Sequence, residues 1–276
     1  MTLESAGARR GSVRVLGVVS DLDGTLLTSD GSLSPATMSV LDTLAGLGIP
    51  LVVATARTPR ALQKVSGHEH LGRLVFANGA IVWDAKRDEL VKESCFDPSA
   101  LAIAVHRLKE ALPAAGVALL SARTMFIDDT YLGLRNKRAA GAEVFSDIDL
   151  VLSGHQIVMV AVRHPRLVAG DIVAPTAEAF TGVGVASFAG LTVVDIVPMT
   201  ATKAIAVAEE MTSKGCGAEA TVVFGDMPND LPLFGWAGWA CAVANSHPDV
   251  LDAADEVVPS NDDDGVARTV QRLIGL

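Results

Sequence analysis

The sequence predicts an α/β fold, in which a doubly wound, Rossmann-like parallel sheet forms the core and an α+β cap domain is inserted into it. Three observations predict this fold. Short apolar, β-branched runs alternate with helical patterns at both ends of the chain, which is typical of βαβ units. Residues 80–190 show alternating strand patterns instead, which favours an α+β insert. Polar residues follow the core runs, as they do where a parallel sheet forms a ligand crevice.

The first half of the predicted core begins with the apolar run VRVLGVVS at residues 13–20. The segment TLLTSDGSLS follows, and its Asp30-Gly31 turn signal between leucines predicts a small hairpin or flap. Capping residues and prolines then mark helix starts, and apolar runs mark strands. The expected elements are a helix from Ser34, a strand at 49–56, a helix from Thr58 and a strand at 74–77.

The middle of the chain is predicted to form the cap, with one helix beginning at Asp97-Pro98. The βα rhythm resumes with LTVVDIV at residues 191–197. Five elements follow: a helix at 202–213, a strand at 221–224, a short helix after Asn229, a strand at 240–244 and a helix ending near Leu273. The predicted division is a disordered tail at 1–12, a parallel-sheet core at 13–82 and 191–276, and an inserted α+β cap at 83–190.

The composition excludes some classes of partner. The chain has 22 Lys and Arg against 32 Asp and Glu, a formal charge of −10, which disfavours binding to nucleic acid or to an anionic membrane. The cysteines Cys95, Cys216 and Cys241 lie far apart without C-x-x-C spacing, and we interpret them as reduced thiols. Residues 1–10 lack a signal-peptide core and no apolar run is long enough to span a membrane, so we expect a cytoplasmic protein. The sequence leaves the oligomeric state open.

Charged and polar side chains stand where the core strands are predicted to end. They are Asp21, Asp23, Thr55, Lys203, Asp226, Asn229 and Asp230. Several carboxylates in one crevice repel one another unless a cation lies among them. Carboxylate and carbonyl oxygens are the ligands that Mg²⁺ prefers, so the crevice predicts Mg²⁺ as a cofactor. With that cation and the lysine, the crevice can hold a phosphate dianion, and a carboxylate can attack phosphorus.

Four segments, in order along the chain, resemble the motifs of the haloacid dehalogenase superfamily of phosphohydrolases. They are SDLDGTLL (20–27), VVATAR (52–57), TKAIAV (202–207) and GDMPNDLPLF (225–234). The insert, with ANGAIV (77–82) ahead of it and NDDDGVARTV (261–270) at the end of the chain, resembles the Cof-type subgroup, IIB. The resemblance implies a Mg²⁺-dependent phosphatase acting on a small phosphorylated metabolite, such as a sugar phosphate or a phosphorylated cofactor or its precursor. It also implies that the core is catalytic and that the cap sets substrate specificity.

The resemblance also implies a role for each motif residue. Asp21 would be the nucleophile that forms an aspartyl phosphate. Asp23 would protonate the leaving oxygen and then activate water, and its backbone carbonyl would join Asp21 and Asp226 as a ligand of Mg²⁺. Thr55 would hold the phosphoryl group through its hydroxyl and amide groups. Lys203 would neutralise the phosphoryl oxygens and the nucleophile.

Four further residues complete the candidate site. By the same resemblance, Asn229 and Asp230 would hold the waters of the metal and orient the motif lysine. Arg57 directly follows the second motif, and Asn78 belongs to ANGAIV. We regard both as candidate substrate contacts.

Other functions share parts of this pattern. A phosphomutase or a phosphonatase remains possible within the same fold. A receiver-type signalling module also orders Asp, Thr and Lys along a parallel sheet, but it is about half as long and has no cap. A capped protein that binds sugar phosphates without turnover is a further alternative, which the intact Asp21 and Asp23 pair disfavours.

Overall fold

Two β-sheets organise the chain in the computed structural model, which describes residues 16–59, 71–134 and 141–275. The tail predicted at 1–12, and the helix predicted from Thr58 beyond Pro59, lie outside the described residues. The strands are β1 Gly17–Ser20, β2 Leu51–Ala54, β3 Arg73–Phe76, β4 Ile81–Asp84, β5 Glu89–Glu93, β6 Gly116–Leu120, β7 Met125–Ile127, β8 Ala142–Val144, β9 Met159–Arg163, β10 Gly184–Ser187, β11 Val194–Pro198, β12 Thr221–Gly225, β13 Trp239–Val243 and β14 Glu256–Val258. The helices are α1 Pro35–Leu47, α2 Pro98–Ala111, α3 Asp129–Gly133, α4 Ile148–Gly154, α5 Ala169–Ala179, α6 Lys203–Ser213, α7 Leu231–Trp236, α8 Pro248–Ala253 and α9 Gly265–Ile274.

The first sheet has the order β14-β13-β12-β1-β2-β3-β4-β5. Its strands from β14 to β3 are parallel, whereas β4 and β5 are antiparallel additions at one edge. The central strands β1 and β12 are buried along their whole length, because helices cover both faces of such a sheet. The predicted α/β fold class is confirmed.

Local signals in the sequence explain where the helices begin and end. The side chain of Ser34 accepts a hydrogen bond from the backbone N–H of Thr37 at 3.0 Å, and Pro35 occupies the first turn of α1. Gly48 ends that helix in the left-handed conformation, with φ of +69°. Asp97 caps α2 in the same way as Ser34, because its carboxylate accepts from the N–H of Ala100 at 2.8 Å.

The second sheet has the order β10-β11-β9-β6-β7-β8 and is antiparallel except between β7 and β8. One face packs against α2, α4 and α5 in an apolar cluster. The other face contributes side chains such as Leu120, Ala161 and Val197 to the cluster that also contains core residues of β1 and β12. The second sheet therefore sits on the core as a layer with its own helices on the outer side.

The chain divides between the two sheets at different residues from those predicted. Residues 83–93, predicted to open the cap, belong to the first sheet, because the turn at Ala77–Gly79 folds β4 back on β3. Strand β11, predicted to resume the core, lies between β10 and β9 in the second sheet. All five residues of β11 are buried, so its apolar run is indistinguishable from that of a core parallel strand.

The segment after β1, predicted as a small hairpin or flap, does not form a hairpin. Residues 28–32 form a tight turn without strand pairing, in which the N–H of Gly31 donates to the carbonyl of Thr28 at 2.8 Å. Gly31 has φ of +84°, and the carboxylate of Asp30 accepts from the N–H of Ser32 at 2.9 Å. Among the helices in the described part of the chain, none is long and apolar enough to cross a membrane.

Candidate active site

Three neighbouring strands, β2, β1 and β12, end at the same edge of the first sheet and bring three motif residues together. Asp21 follows β1, Thr55 follows β2 and Asp226 follows β12. The N–H of Asp21 donates to the carbonyl of Phe224 at 2.9 Å, which ties the first motif to the last. A cleft of about 540 Å³ opens over this edge. It is lined by Asp21, Asp23, Thr55, Ala56, Arg57, Arg163, Ala189, Gly190, Thr192, Val193, Asp195, Asp226, Met227 and Asn229.

Lys203, the first residue of α6, lies beneath this cleft and is 2% exposed. Its ammonium group donates to Asp21 Oδ1 at 2.5 Å and to Asp230 Oδ1 at 2.9 Å. Burial alone would lower the pKa of Lys203, but the two carboxylates outweigh burial and raise the pKa above its ordinary value. Lys203 is therefore a fixed positive charge that holds Asp21 by one oxygen.

The carboxylates of Asp21, Asp226 and Asp230 form a buried acidic cluster. One oxygen of each lies within 4.8 Å of the others. Burial raises the pKa of Asp21 well above its ordinary value; Lys203 opposes this effect, while repulsion from Asp230 and Asp226 adds to it. One lysine does not balance three ionised carboxylates in a site of low polarity, so the cluster is compatible with a bound divalent cation.

Asp226 is seated by the loop after β1. Thr25 donates its hydroxyl to Asp226 Oδ1 at 3.0 Å. Gly24 has φ of +76°, and a Cβ at this position would lie 2.5 Å from Asp226 Oδ2. Burial, followed by repulsion from Asp230, raises the pKa of Asp226 to about 7. Glycine is thus required at position 24 both by the backbone conformation and by the close approach of this carboxylate.

Asp230 has both carboxylate oxygens occupied by protein groups. Its Oδ1 accepts from Lys203, and its Oδ2 accepts from the N–H groups of Asp226 and Met227 at 3.2 and 3.3 Å. Asp230 thus contacts the lysine that it was predicted to orient, and that role stays a prediction. The same contacts link the loop after β12 to Lys203.

Asp23 lies at the exposed side of the cleft, in contrast to Asp21. Its side chain is 53% exposed and forms a bidentate ion pair with Arg57, with Nη2 to Oδ1 at 2.5 Å and Nε to Oδ2 at 2.7 Å. Both residues line the cleft. Arg57, predicted as a substrate contact, thus reaches the cleft but binds the predicted acid/base in this conformation.

Thr55 is placed as predicted, but its amide group is not available. The backbone N–H of Thr55 donates to the carbonyl of Val75 at 2.8 Å and so continues the sheet. The hydroxyl accepts from the N–H of Arg57 at 3.1 Å and keeps its own proton to donate to a ligand. The expectation that the Thr55 amide holds the phosphoryl group therefore does not fit this geometry, whereas the hydroxyl does.

Asn78 does not line the cleft, contrary to the prediction that it contacts substrate. It is 3% exposed and joins a buried chain of amides behind the cleft wall. Its Nδ2 donates to Asp195 Oδ2 at 3.4 Å, and its Oδ1 accepts from Asn229 Nδ2 at 3.0 Å. Within the described residues, Asn229 Oδ1 is buried and has no hydrogen-bond partner. This series of hydrogen-bonded side chains thus leaves Oδ1 of Asn229 available beside the acidic cluster.

Two charged residues of the second sheet, Arg163 and Asp195, line the cleft although sequence analysis did not single them out. Asp195 is buried on β11, and burial raises its pKa to about 7 against the opposing effects of Asn78, Lys203 and Arg163. A lone carboxylate inside the apolar run VVDIV was the available signal for Asp195. Arg163 ends β9 and had no comparable signal.

Comparison with known proteins agrees with this geometry. The family model of haloacid dehalogenase-like hydrolases matches residues 18–270. A Bacillus subtilis protein named "Putative phosphatase YxeH" is 27% identical over 273 residues, which cover 92% of this chain and 96% of that protein. A haloacid dehalogenase-like hydrolase from B. subtilis superimposes with a TM-score of 0.80 at 17% identity, covering 94% of this chain and all of that chain.

A second solved structure is described as the subclass IIB sugar phosphatase BT4131 of the same superfamily. It superimposes with a TM-score of 0.76 at 17% identity, over 93% of this chain and 98% of that chain. At such identities the two structural matches establish the shared fold, and the family model carries the assignment. The resemblance predicted from the four motifs is confirmed: this chain belongs to the family of haloacid dehalogenase-like hydrolases.

Proposed function

We propose that this hydrolase is a Mg²⁺-dependent phosphatase that cleaves a small phosphorylated metabolite, such as a sugar phosphate or a phosphorylated cofactor or its precursor, through an aspartyl phosphate on Asp21. The observation that carries the proposal is the buried cluster in which Lys203 holds Asp21 beside Asp226 and Asp230. A nucleophilic carboxylate, a fixed cation and a divalent-cation site are the parts that phosphoryl transfer requires.

The residues around the cluster fit Mg²⁺. Asp21 and Asp226 would hold it together with the backbone carbonyl of Asp23, and the unpartnered Asn229 Oδ1 would hold one of its waters. Oxygen ligands with several retained waters are what this ion prefers. When bound, Mg²⁺ supplies positive charge that offsets the carboxylates and the phosphoryl oxygens.

The residues of the chain divide the reaction into two steps. A carboxylate oxygen of Asp21 forms a bond to phosphorus while the ester bond to the leaving oxygen breaks, and Asp23 gives that oxygen a proton. Asp23 then takes a proton from a water molecule that attacks the phosphorus. This second attack releases inorganic phosphate and regenerates Asp21. Lys203 and the hydroxyl of Thr55 stabilise the negative charge of the phosphoryl group in both steps.

The ion pair between Asp23 and Arg57 must exchange partners during this cycle. Asp23 can transfer a proton to the leaving oxygen only after one of its oxygens leaves the guanidinium. Both side chains are partly exposed, and ion pairs of this kind contribute little stability. The contact with Asp23 therefore does not prevent Arg57 from turning to the substrate when Asp23 turns to the leaving group.

The second sheet acts as the cap in this proposal. It supplies the part of the cleft wall formed by Arg163, Ala189, Gly190, Thr192, Val193 and Asp195. These side chains would surround the leaving group and exclude water from the phosphoryl group. The cleft volume of about 540 Å³ is in the range of sites for small molecules.

Turnover of p-nitrophenyl phosphate tests the proposal. We expect hydrolysis that needs Mg²⁺, is lost on chelation and is lost in Asp21→Asn. A protein that hydrolyses no phosphate monoester but keeps a long-lived phosphoaspartate would instead be a regulatory phosphoprotein. Transfer of the phosphoryl group to a second sugar hydroxyl, with no release of phosphate, would identify a phosphomutase.

A further inference from the structure

The positively charged side chains at the cleft differ in how many ion pairs they form with other residues. Lys203 is bonded to two carboxylates, and Arg57 forms a bidentate pair with Asp23. Arg163 is the third cation at this site and lines the same cleft. Its Nε is buried without a hydrogen-bond partner, and no ion pair is formed by its guanidinium within the described residues. A buried N–H without a partner is unfavourable, and such groups in native structures require an explanation.

The structure holds Arg163 in place by packing. Arg163 lies opposite Gly116 in the pairing of β9 with β6. A Cβ on Gly116 would lie 2.5 Å from the backbone nitrogen of Tyr131, so glycine lets α3 approach the sheet closely. The buried ring of Tyr131 then lies 5.6 Å from the Arg163 guanidinium carbon. Contact with an aromatic ring orients the planar guanidinium while leaving its N–H groups free to bind an acceptor.

Asp195, a buried carboxylate on the neighbouring strand β11, does not pair with Arg163 within the described residues. Asp195 Oδ2 accepts instead from Asn78 Nδ2 at 3.4 Å. No ion pair joins Asp195 to Arg163 in the part of the chain that the structure describes. The guanidinium is therefore an ordered cation in the cap wall of the cleft. A carboxylate or phosphate that accepts two of its hydrogen bonds would be its strongest partner.

We propose that Arg163 binds a second anionic group of the substrate, so that the preferred substrates are phosphate monoesters whose leaving group carries a carboxylate or a second phosphate. This inference rests on the proposed phosphatase function. The transferred phosphoryl group occupies the core side of the cleft at Asp21 and Thr55, and the second anion lies on the cap side at Arg163. Arg163 is thus a specificity-determining residue, which favours one class of leaving group over neutral ones.

Pairs of substrates that differ only in the second acidic group test this proposal. Suitable pairs are phosphoserine with phosphoethanolamine, 3-phosphoglycerate with glycerol 3-phosphate, and fructose 1,6-bisphosphate with fructose 6-phosphate. For at least one pair we expect kcat/KM to favour the more acidic member by about 10- to 100-fold, as for a charge-assisted hydrogen bond. Arg163→Met should bring that ratio close to one, and Arg163→Lys should retain part of it.

Arg166→Met is the matched control, because Arg166 is exposed three residues further along and does not line the cleft. It removes the same charge and should leave the ratio unchanged. The proposal is wrong if the wild-type enzyme does not distinguish the members of any pair. It is also wrong if Arg163→Met lowers kcat/KM for both members of a pair by the same factor. Thermal unfolding of both variants separates a loss of fold from a loss of selectivity.

Binding measurements distinguish failure of this proposal from failure of the phosphatase function. Calorimetric titration of Asp21→Asn with each pair, in the presence of Mg²⁺, reports affinity without turnover. A preference for the acidic member that disappears in the Asp21→Asn, Arg163→Met double variant supports the anion site even if no substrate is hydrolysed. Equal affinity for both members of every pair, alongside rapid hydrolysis of p-nitrophenyl phosphate, overturns the anion site and keeps the phosphatase.

Discussion

Two carboxylate–cation contacts flank the cleft, Asp21 with Lys203 and Asp23 with Arg57, and both have a contact of 2.5 Å. They differ in burial. Lys203 is 2% exposed and also holds Asp230, whereas the carboxylate of Asp23 is 53% exposed. Water screens the second contact and can replace either partner, but it has little access to the first, in which the Asp21 side chain is 8% exposed.

The difference corresponds to the two kinds of work proposed for the two aspartates. A nucleophile benefits from a fixed position, because a small misplacement slows the reaction. A residue that delivers and collects a proton must change its partners within each cycle. The chain places the first in a buried network and the second at an exposed rim, although the two aspartates are separated by a single residue.

Removal of Lys203 and of Arg57 should give the largest difference in stability between the two contacts. Lys203→Met leaves the buried Asp21 and Asp230 without their counter-ion, and we expect it to lower the free energy of unfolding by about 3–5 kcal/mol. Arg57→Met removes an exposed ion pair and should change the free energy of unfolding by about 1 kcal/mol or less. Urea denaturation of both variants in metal-free buffer checks this. Equal losses in the two variants would mean that burial does not separate the contacts.

Substitution of Asp23 should separate proton transfer from metal binding. Asp23→Asn is expected to lower kcat by about 10²- to 10⁴-fold, because it removes the proposed general acid and base. The loss should be larger for an alkyl phosphate than for p-nitrophenyl phosphate, since nitrophenolate leaves without protonation. Its affinity for Mg²⁺, measured by calorimetry, should stay near that of the wild type, because only the backbone carbonyl of Asp23 is assigned to the ion. A strong loss of Mg²⁺ affinity would assign the side chain to the metal instead.

The amide chain behind the cleft offers a third test. At pH 8, above its raised pKa of about 7, Asp195 is mostly ionised and only accepts hydrogen bonds, so it fixes Asn78 with Nδ2 toward it; this in turn would leave Asn229 Oδ1 for a water of the proposed Mg²⁺. Asp195→Asn can donate as well as accept, and we expect it to weaken Mg²⁺ binding by about 10-fold. The exposed Asp252→Asn makes the same charge change and should have no effect. Similar Mg²⁺ affinity in both variants would remove the amide chain from the metal site.

The smallest effect expected is a pH dependence of stabilisation by Mg²⁺. Burial and Asp230 raise the pKa of Asp226 to about 7 in the metal-free protein, above its value in the unfolded chain. Its ionisation therefore lowers the stability of the folded state as pH rises toward 7. Mg²⁺ binds the ionised form, so the increase in Tm on adding Mg²⁺ should be larger by a few degrees at pH 8 than at pH 5. An increase in Tm that is the same at both pH values would contradict this assignment.

Sequence patterns predicted the core sheet well but misplaced strands at its boundary with the cap. The runs that became β1, β2 and β12 are short, apolar and followed by polar residues, so their position and direction could be predicted. β11 has the same apolar pattern, but its partners are β9 and β10, and pairing between distant strands leaves no local trace. β5 is exposed along its whole length, so burial gave no signal for its place at the sheet edge.

Prediction of the site from sequence was limited in the same way. The residues of the core part follow strands or begin helices within recognisable segments, and Asp21, Lys203 and Asp226 meet in the structure. Arg163 and Asp195 reach the cleft from the second sheet, through register and packing that depend on the whole fold. The burial of the Thr55 amide in the sheet and the enclosure of Asn78 are likewise tertiary features.

The chain passes between the two sheets twice, through residues 94–97 after β5 and residues 199–202 after β11, each a crossing of four residues. Such short crossings restrict any opening of the cap to a rotation about the line that joins them. Gly79 fixes one end of this axis, since a Cβ there would lie 2.3 Å from the carbonyl oxygen of Ala201. The second crossing leads directly into Lys203, which contacts Asp21, so in the proposed function a rotation of the cap would act next to the residue that holds the proposed nucleophile.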